Sequence, residues 1–421
     1  MDRPVSHRIV ILGGGYGGLN VALQLEGRLS RLRATDREIL LVDRHGYHQH
    51  VILLHEVAAN SITPRDATVP FSRLLRGKRI GFVRGEVAGV DLERRSAVVD
   101  GREIPYQHLV LALGSETDFF GIPGLRENSF TLKSVEDAVV IRDRVRRAFT
   151  LVRDASPEER RALLTFVVGG GGFTGVEMAG ELADWLPELA EEHQISRSEI
   201  RLALLEATDT ILAGFGRRPT RIAREKLAAK GVELKTGAPV VTAEPGLVYL
   251  GSGETVPTRT LIWVGGVEAP PQLAQWGMRV GPRGRAVVNE FLQAADRPEV
   301  YVLGDSSLVI RPATGRPVPP SAQVALQQAE CVADNVAADL GIGRHRRYEL
   351  EPMGDVISLG RRDAVATFGP VLFDGYRARL LKESIALRYY HRIGGLALAL
   401  EKLPSAWRAT GFDPRLLLSG A

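Results

Sequence analysis

FVVGGGGFTGVEMAGEL, running from Phe166 to Leu182, places an apolar strand-like run, a glycine turn and a helix-compatible run in succession. The turn reads Gly170-x-Gly172-x-x-Gly175, and the next apolar strand, RLALLE, ends in Glu206. This order has a physical reading. One glycine permits the tight turn, the second lets backbone approach a pyrophosphate, and the third lets helix pack on sheet. The helix N-terminus then faces phosphate, and an acid closing the next strand accepts a ribose hydroxyl. The gap to Glu206 exceeds the usual ~20 residues, because a polar insert, LPELAEEHQISRSE, extends the helix.

The chain has used the same design once already. RIVILGGGYGGLNVALQL, Arg8 to Leu25, carries Gly13-x-Gly15-x-x-Gly18, and the following EILLVD ends in Asp43. A single such turn is weak evidence, since glycine turns occur in many unrelated loops. Two, each with strand, helix and terminal acid, point to two dinucleotides in one chain. The alternatives are two unrelated turns, or a duplicated domain binding two copies of one ligand. A third element, EVYVLGDSS, ends a strand in Gly304-Asp305 just before a helix-compatible run from Ser321. An acid there can hold a flavin's ribityl hydroxyls while the helix N-terminus faces the ring.

Length and composition agree with a multidomain α/β enzyme. The chain has 421 residues, enough for two to three cores, and 44% hydrophobic with 25% charged residues is an ordinary globular balance. Cys331 is the single cysteine, so no internal disulfide, CxxC pair or thiolate zinc site can form. That excludes a disulfide reductase mechanism and a cysteine-dependent sulfide:quinone reductase, and makes a reducing intracellular setting the expectation. The first residues show no signal-peptide pattern, and no apolar run approaches the roughly 18 residues that would cross a bilayer. Neither a metal nor a nucleic-acid partner is expected.

Across nearly its whole length the sequence resembles the flavin-containing pyridine nucleotide oxidoreductases, and within them the type II NADH dehydrogenases, single-subunit NADH:quinone reductases. The resemblance is carried by HLVLALGSETDFFGIPGL (His108 to Leu125), TLKSVEDA (Thr131 to Ala138), GGFTGVEMAGEL, TLIWVGGV (Thr260 to Val267), VYVLGD, SAQVALQQAE (Ser321 to Glu330) and LLKESIALRYYHRIGG (Leu380 to Gly395). It implies two interleaved Rossmann-like, glutathione-reductase-like domains. Residues 1–115 and 290–340 would bind FAD non-covalently, residues 116–289 would bind NADH, and residues 341–421 would form a C-terminal dimer and membrane-docking region. Among FAD contacts it implies Gly13, Gly15, Gly18, Asp43, Gly114, Gly304, Asp305 and Ala322; for NADH, Gly170, Gly172, Gly175 and Glu206.

Four candidates for the chemistry follow from the same resemblance. Glu177 is expected in the first turn of the second helix, where relatives place a glutamate beside nicotinamide and flavin; a carboxylate that merely favours a helix N-terminus is the alternative. Gln323 and Gln327, four apart in SAQVALQQ, share a helix face and complete the family's Ala-Gln-x-Ala-x-Gln quinone motif with Ala322 and Ala325. They could equally be surface amides. Lys382 matches a family lysine near the acceptor. His45, His48, His50 and His55 crowd one segment, read as flavin-pocket lining or exposed loop rather than a metal site. Relatives usually carry phenylalanine and Pro-Leu-Leu where this chain has His50 and Ile52-Leu53-Leu54.

RPATGRPVPP, Arg311 to Pro320, is a proline-rich loop whose family equivalent lies near the ring and acceptor site. From Arg377 onward there are eight Lys/Arg against three Asp/Glu, and Leu381, Ile385, Tyr389, Ile393, Leu396, Leu400, Leu403 and Trp407 recur at helical spacing, broken at Gly394-Gly395. An amphipathic surface on anionic lipid and a packed dimer helix both fit. The expected activity is two-electron transfer from NADH through FAD to a membrane quinone, without proton pumping, by a homodimer on the cytoplasmic membrane face. A soluble reductase with a protein or small acceptor, and a slow NADH-binding sensor, remain the rivals.

Overall fold

A computed structural model describes residues 7–31, 37–312 and 314–411. The chain divides into two compact units, each gathered from three stretches of sequence. One comprises residues 1–50, 68–116 and 267–352; the other comprises 51–67, 117–266 and 353–421. Residues 51–67 therefore leave the first stretch to join the second unit, and residues 267–289 group with the first. Residues 1–6, Ala313 of the proline-rich loop and residues 412–421, with Arg415 of the basic tail, lie outside the described residues.

The first unit centres on a parallel sheet. Its strands run in the spatial order Ile80–Arg84, Arg37–Asp43, His7–Leu12, His108–Leu111 and Arg297–Val302, with Gln293–Ala294 antiparallel at the edge. Strand His7–Leu12 has Ile9 through Leu12 fully buried on both faces, as a central parallel strand requires. Helices Tyr16–Arg31 and Ala322–Asp339 pack side by side, joined by Arg28 Nη2 donating to Asp334 Oδ1 at 2.6 Å. A three-stranded meander, Val87–Asp91, Ser96–Val99 and Arg102–Pro105, precedes the fourth strand of the parallel sheet.

The second unit repeats this plan. Its parallel strands lie in the order Val232–Lys235, Arg201–Leu205, Thr165–Gly169 and Thr260–Trp263. A meander of Val240–Glu244, Leu247–Leu250 and Thr255–Pro257 again precedes the strand that returns beside the first. The polar insert extends helix Phe173–Glu192 to 20 residues, through Pro187, which explains the long gap to Glu206. The expected interleaved α/β architecture is the one observed.

The C-terminal stretch of this unit opens with three antiparallel strands, Asp355–Ser358, Ala364–Phe368 and Val371–Asp374, the last of which the sequence pattern did not reveal. The helical run Tyr376–Ala409 follows, interrupted at Gly395 with φ 75° and ψ −176°. The break expected at Gly394-Gly395 is thus present. The single apolar stripe is not. Tyr389 and Ile393 are buried, whereas Leu396 and Leu400 stand 63% and 57% exposed. Ile385, before the break, is also exposed, and across the break helical spacing no longer defines one face.

Candidate active site

The two glycine turns are near-superposable in their contacts. Gly13 and Gly170 adopt φ of 101° and 110°, a region that only glycine enters at no steric cost. Gly13 N donates to Val42 O and Gly170 N to Leu205 O, both at 2.8 Å. A Cβ on Gly18 would sit 1.8 Å from Gly13 O, and one on Gly175 would sit 1.8 Å from Gly170 O. These third glycines are the close approaches between helix and turn. Around Gly15 and Gly172, by contrast, a Cβ would meet nothing within 4 Å. The opening in front of each helix N-terminus is the room a pyrophosphate needs.

The acids complete each turn. Asp43 Oδ2 accepts from Gly14 N at 2.6 Å, and its Oδ1 accepts from His45 N at 2.7 Å. Glu206 Oε2 accepts from Gly171 N at 2.6 Å, while Oε1 accepts from Thr208 N and Oγ1, each at 2.8 Å. Burial pushes the Asp43 carboxyl upward, and the Gly14 and His45 amides oppose that shift. The carboxylates are therefore held in place before any ligand arrives. Thr208, two residues after Glu206, is a positioning group that the sequence reading missed.

In the first unit, the Gly304-Asp305 turn joins this arrangement. Gly304 N donates to Gln328 Oε1 at 2.6 Å, and Asp305 Oδ2 accepts from Ser115 Oγ at 2.7 Å. Ser306 Oγ donates to Gly114 O at 2.8 Å. Ala322 begins helix Ala322–Asp339, whose N-cap Ser321 Oγ accepts from Val324 N at 3.2 Å. Gln323 is half-buried on that helix. Gln327 is occupied: its Nε2 donates to Glu351 O at 2.8 Å and its Oε1 accepts from Glu351 N at 3.0 Å. The buried glutamine that holds the Gly304-Asp305 turn is its neighbour Gln328, whose position on the inner helix face was the available signal.

The histidines do not assemble into one cluster. His48 Nδ1 lies 2.9 Å from Gly14 O, and the rings of His48 and His50 both pack edge-on to Tyr16 at 5.6 Å. Both are buried beside the first glycine turn, with the His48 pKa lowered to about 4 by burial. His55 belongs to the second unit. Cys331 is buried, 3.2 Å from Arg346 O, with its thiol pushed up to about 11 by burial. It has the surroundings of a packing residue, not of a redox centre.

In the second unit, Glu177 lies in the second turn of helix Phe173–Glu192, and the first turn holds no acid. That corrects its expected place and removes the helix-terminus explanation. Its partner is Lys382, whose Nζ donates to Glu177 Oε1, to Ser358 Oγ at 2.7 Å and to His55 Nε2 at 3.0 Å. Since Nε2 accepts, Nδ1 carries the ring proton and faces Glu177 Oε2 at 3.7 Å. Burial alone raises the Glu177 pKa, but Lys382 and His55 outweigh it and hold the carboxyl below its ordinary value. Burial, and next Lys382, lower His55 to about 4, so the ring is neutral near pH 7. Neither His55 nor Ser358 was singled out as part of this group from sequence.

Comparison with known proteins fits this geometry. The pyridine nucleotide-disulphide oxidoreductase family profile matches residues 7–329. A protein of Staphylococcus saprophyticus named type II NADH:quinone oxidoreductase is 31% identical over 398 residues, covering 94% of this chain and 98% of its own. The chain belongs to the type II NADH:quinone oxidoreductases. The protein of that name in Staphylococcus aureus gives the same identity and coverage. Among solved structures, NDH2 from Plasmodium falciparum in complex with NADH superposes with a TM-score of 0.84, covering 96% of this chain and 99% of that one at 17% identity. The sulfide:quinone oxidoreductase of Aquifex aeolicus gives 0.76, covering 92% of each chain at 20% identity. At those identities the structures speak for the fold. The family's disulphide label does not extend to this chain, whose lone cysteine has no partner to form one.

Proposed function

We propose that this protein passes two electrons from NADH to a membrane quinone through one non-covalently bound FAD, without pumping protons. The observation that carries the reading is the pair of matched glycine turns, each with its acid already locked, in a chain of this family. The first unit fits FAD: Gly15 fronts open space, Asp43 would accept ribose hydroxyls, and Asp305 stands after the strand end, bonded to Ser115. When bound, FAD supplies the ability to take up a hydride and to return its electrons to an acceptor. The second unit fits NADH: Gly172 fronts open space, and Glu206 would accept the adenosine ribose hydroxyls while repelling a 2′-phosphate. Glu177, fixed by Lys382, would orient the nicotinamide, supplying position rather than a nucleophile.

Gln323 would hydrogen-bond a quinone carbonyl without adding charge, whereas Gln327 supports the site through Glu351. On this reading, residues 1–50, 68–116 and 267–352 would carry the FAD role, residues 51–67 and 117–266 the NADH role, and residues 353–421 docking. Attachment would be peripheral, on the cytoplasmic face: no helix among the described residues is long and apolar enough to cross a membrane. The exposed Leu396 and Leu400 give an apolar face suited to lipid. Of the eight tail cations, Arg379, Lys382 and Lys402 are buried, so apolar contact outweighs charge. A homodimer is part of the same proposal. The test is release of FAD on denaturation together with NADH:quinone turnover, measured with and without membranes; colourless protein that cannot be reconstituted with FAD ends the reading.

A further inference from the structure

Behind the Lys382–Glu177 pair lies a second group of charges that the proposed function does not use. Glu56 and Glu181 are fully buried, as is Arg379, and Glu383 is nearly so. Each central carboxylate has one satisfied and one unsatisfied oxygen. Glu56 Oε1 accepts from Arg379 Nη2 at 2.8 Å, and Glu181 Oε2 accepts from Ser61 Oγ at 2.5 Å. Glu56 Oε2 and Glu181 Oε1 are buried without a hydrogen-bond partner among the described residues. A carboxylate oxygen of each and a ring nitrogen of His55 lie within 4.8 Å of one another.

Charge bookkeeping sharpens the point. Among the described residues, Glu56, Glu177, Glu181 and Glu383 face two permanent cations, Arg379 and Lys382, with His55 neutral. Arg361 approaches the outer side, where its Nε donates to Ser61 Oγ at 3.2 Å, but it also pairs with Glu188. Asp184, one turn along the helix, is taken by Lys230 Nζ at 2.6 Å. Fully ionised, the interior group would hold two uncompensated negative charges, each costing several kcal/mol to bury. Close carboxylates of this kind keep a proton between them. Burial first and Glu56 second push both Glu181 and Glu383 up to about 7.

We infer that Glu181 and Glu56 form an internal proton store, with the proton on Glu181 at neutral pH and His55 linking the store to Glu177. The route is short. Glu56 Oε1 faces His55 Nε2 at 3.8 Å, and Nδ1 faces Glu177 Oε2 at 3.7 Å. Transfer along it needs Glu181 first to hand its proton to Glu56 and Lys382 Nζ to release Nε2; a proton then gained at Nε2 and one lost from Nδ1 moves one net proton from the store to Glu177, with no change in electrons. Quinone reduction to quinol consumes two protons with its two electrons, so the link to turnover rests on the proposed function. The store itself does not. A divalent ion would neutralise the same carboxylates, but Arg379 and Lys382 already flank them.

Glu181→Gln tests the inference, because glutamine reproduces the neutral acid in shape. Infrared difference spectra at neutral pH should show deuterium-sensitive carboxylic acid band intensity in the wild type, of which E181Q loses the Glu181 share and keeps that of Glu383. Stability gives a second arm. Glu181 is raised above its ordinary 4.5, so its contribution is complete below that pH and is lost as pH rises through about 7. The wild-type melting temperature should therefore fall across that window, and E181Q should lose roughly half of the fall, Glu383 supplying the rest. Ser61→Ala, which removes the bond that lowers Glu181, should move the fall to higher pH. An unchanged band and slope in E181Q, an E181Q that cannot fold at neutral pH, or one tightly bound zinc per chain in the purified wild type would overturn the store. In the third arm, E181Q should slow quinone turnover several-fold while leaving flavin reduction by NADH unchanged. Full quinone turnover in E181Q would overturn the link through His55 alone, and absent wild-type turnover would overturn the function instead.

Discussion

Asp43 and Glu206 close their respective glycine turns with the same bond, each accepting the backbone N–H of the middle glycine, Gly14 or Gly171, at 2.6 Å. A side-chain acid placed by a backbone amide costs a ligand no reordering of that carboxylate. It also gives the second turn a preference. On the proposed function the charge of Glu206, doubly held by Thr208, would stand where a 2′-phosphate would arrive. Wild-type protein should use NADH at least ~10-fold more efficiently than NADPH, and Glu206→Ser should narrow the ratio. Equal use of the two cofactors by the wild type would show that Glu206 does not face the ribose.

The third glycines separate the two nucleotide roles. Because a Cβ on Gly175 would meet Gly170 O at 1.8 Å, Gly175→Ala must shift the second turn. It should slow flavin reduction by NADH while FAD content stays near one per chain. Gly18→Ala, with the same clash in the first turn, should lower FAD content instead. Absorbance of the purified variants and single-turnover reduction distinguish the cases, and loss of FAD from both would point to general unfolding.

How much of this was legible in the sequence follows from the range of each signal. The strand–Gly-turn–helix units are local, so Gly13 to Asp43 and Gly170 to Glu206 could be read with their geometry from spacing alone. The Lys382–Glu177–His55 group joins three distant stretches, and no spacing rule reaches across that separation. The motif marks Gln323 and Gln327 and leaves out Gln328, and only packing shows that Gln328 turns inward to the Gly304 turn. The C-terminal stripe was overcounted because Ile385 already faces outward in the first segment and Gly395 resets the helix phase between Ile393 and Leu396.

Arg379 is a fully buried charge with three acceptors. It donates to Glu56, Glu383 and, at 3.0 Å, to Ala409 O. Arg379→Met would leave both acids without their cation, so stability should drop by about 3–5 kcal/mol. Equilibrium denaturation checks this, and a loss near zero would mean the acids are already protonated as a pair.

The exposed apolar face makes a prediction opposite to that from tail charge. Leu396→Asp with Leu400→Asp should abolish flotation with anionic liposomes. Replacing the exposed Arg388 and Arg392 by glutamine should weaken it only modestly and reduce its sensitivity to salt. Flotation that survives the aspartates would move the docking surface elsewhere.

The acceptor assignment divides the two motif glutamines. Gln323→Leu should slow flavin reoxidation by quinone a few-fold to roughly tenfold, the net worth of one neutral hydrogen bond at about 0.5–1.5 kcal/mol, without changing reduction by NADH. Gln327→Leu should in addition destabilise the chain, since it releases both backbone groups of Glu351.

The central claim is tested most directly by double-mixing stopped-flow under anaerobic conditions. Purified protein is mixed first with NADH and then with a short-chain, water-soluble quinone, while flavin absorbance is followed. The account predicts bleaching of one FAD per chain by one equivalent of NADH, then full recovery of colour with one equivalent of quinone. Flavin that bleaches but is not reoxidised by quinone, or that NADH leaves oxidised, would contradict it.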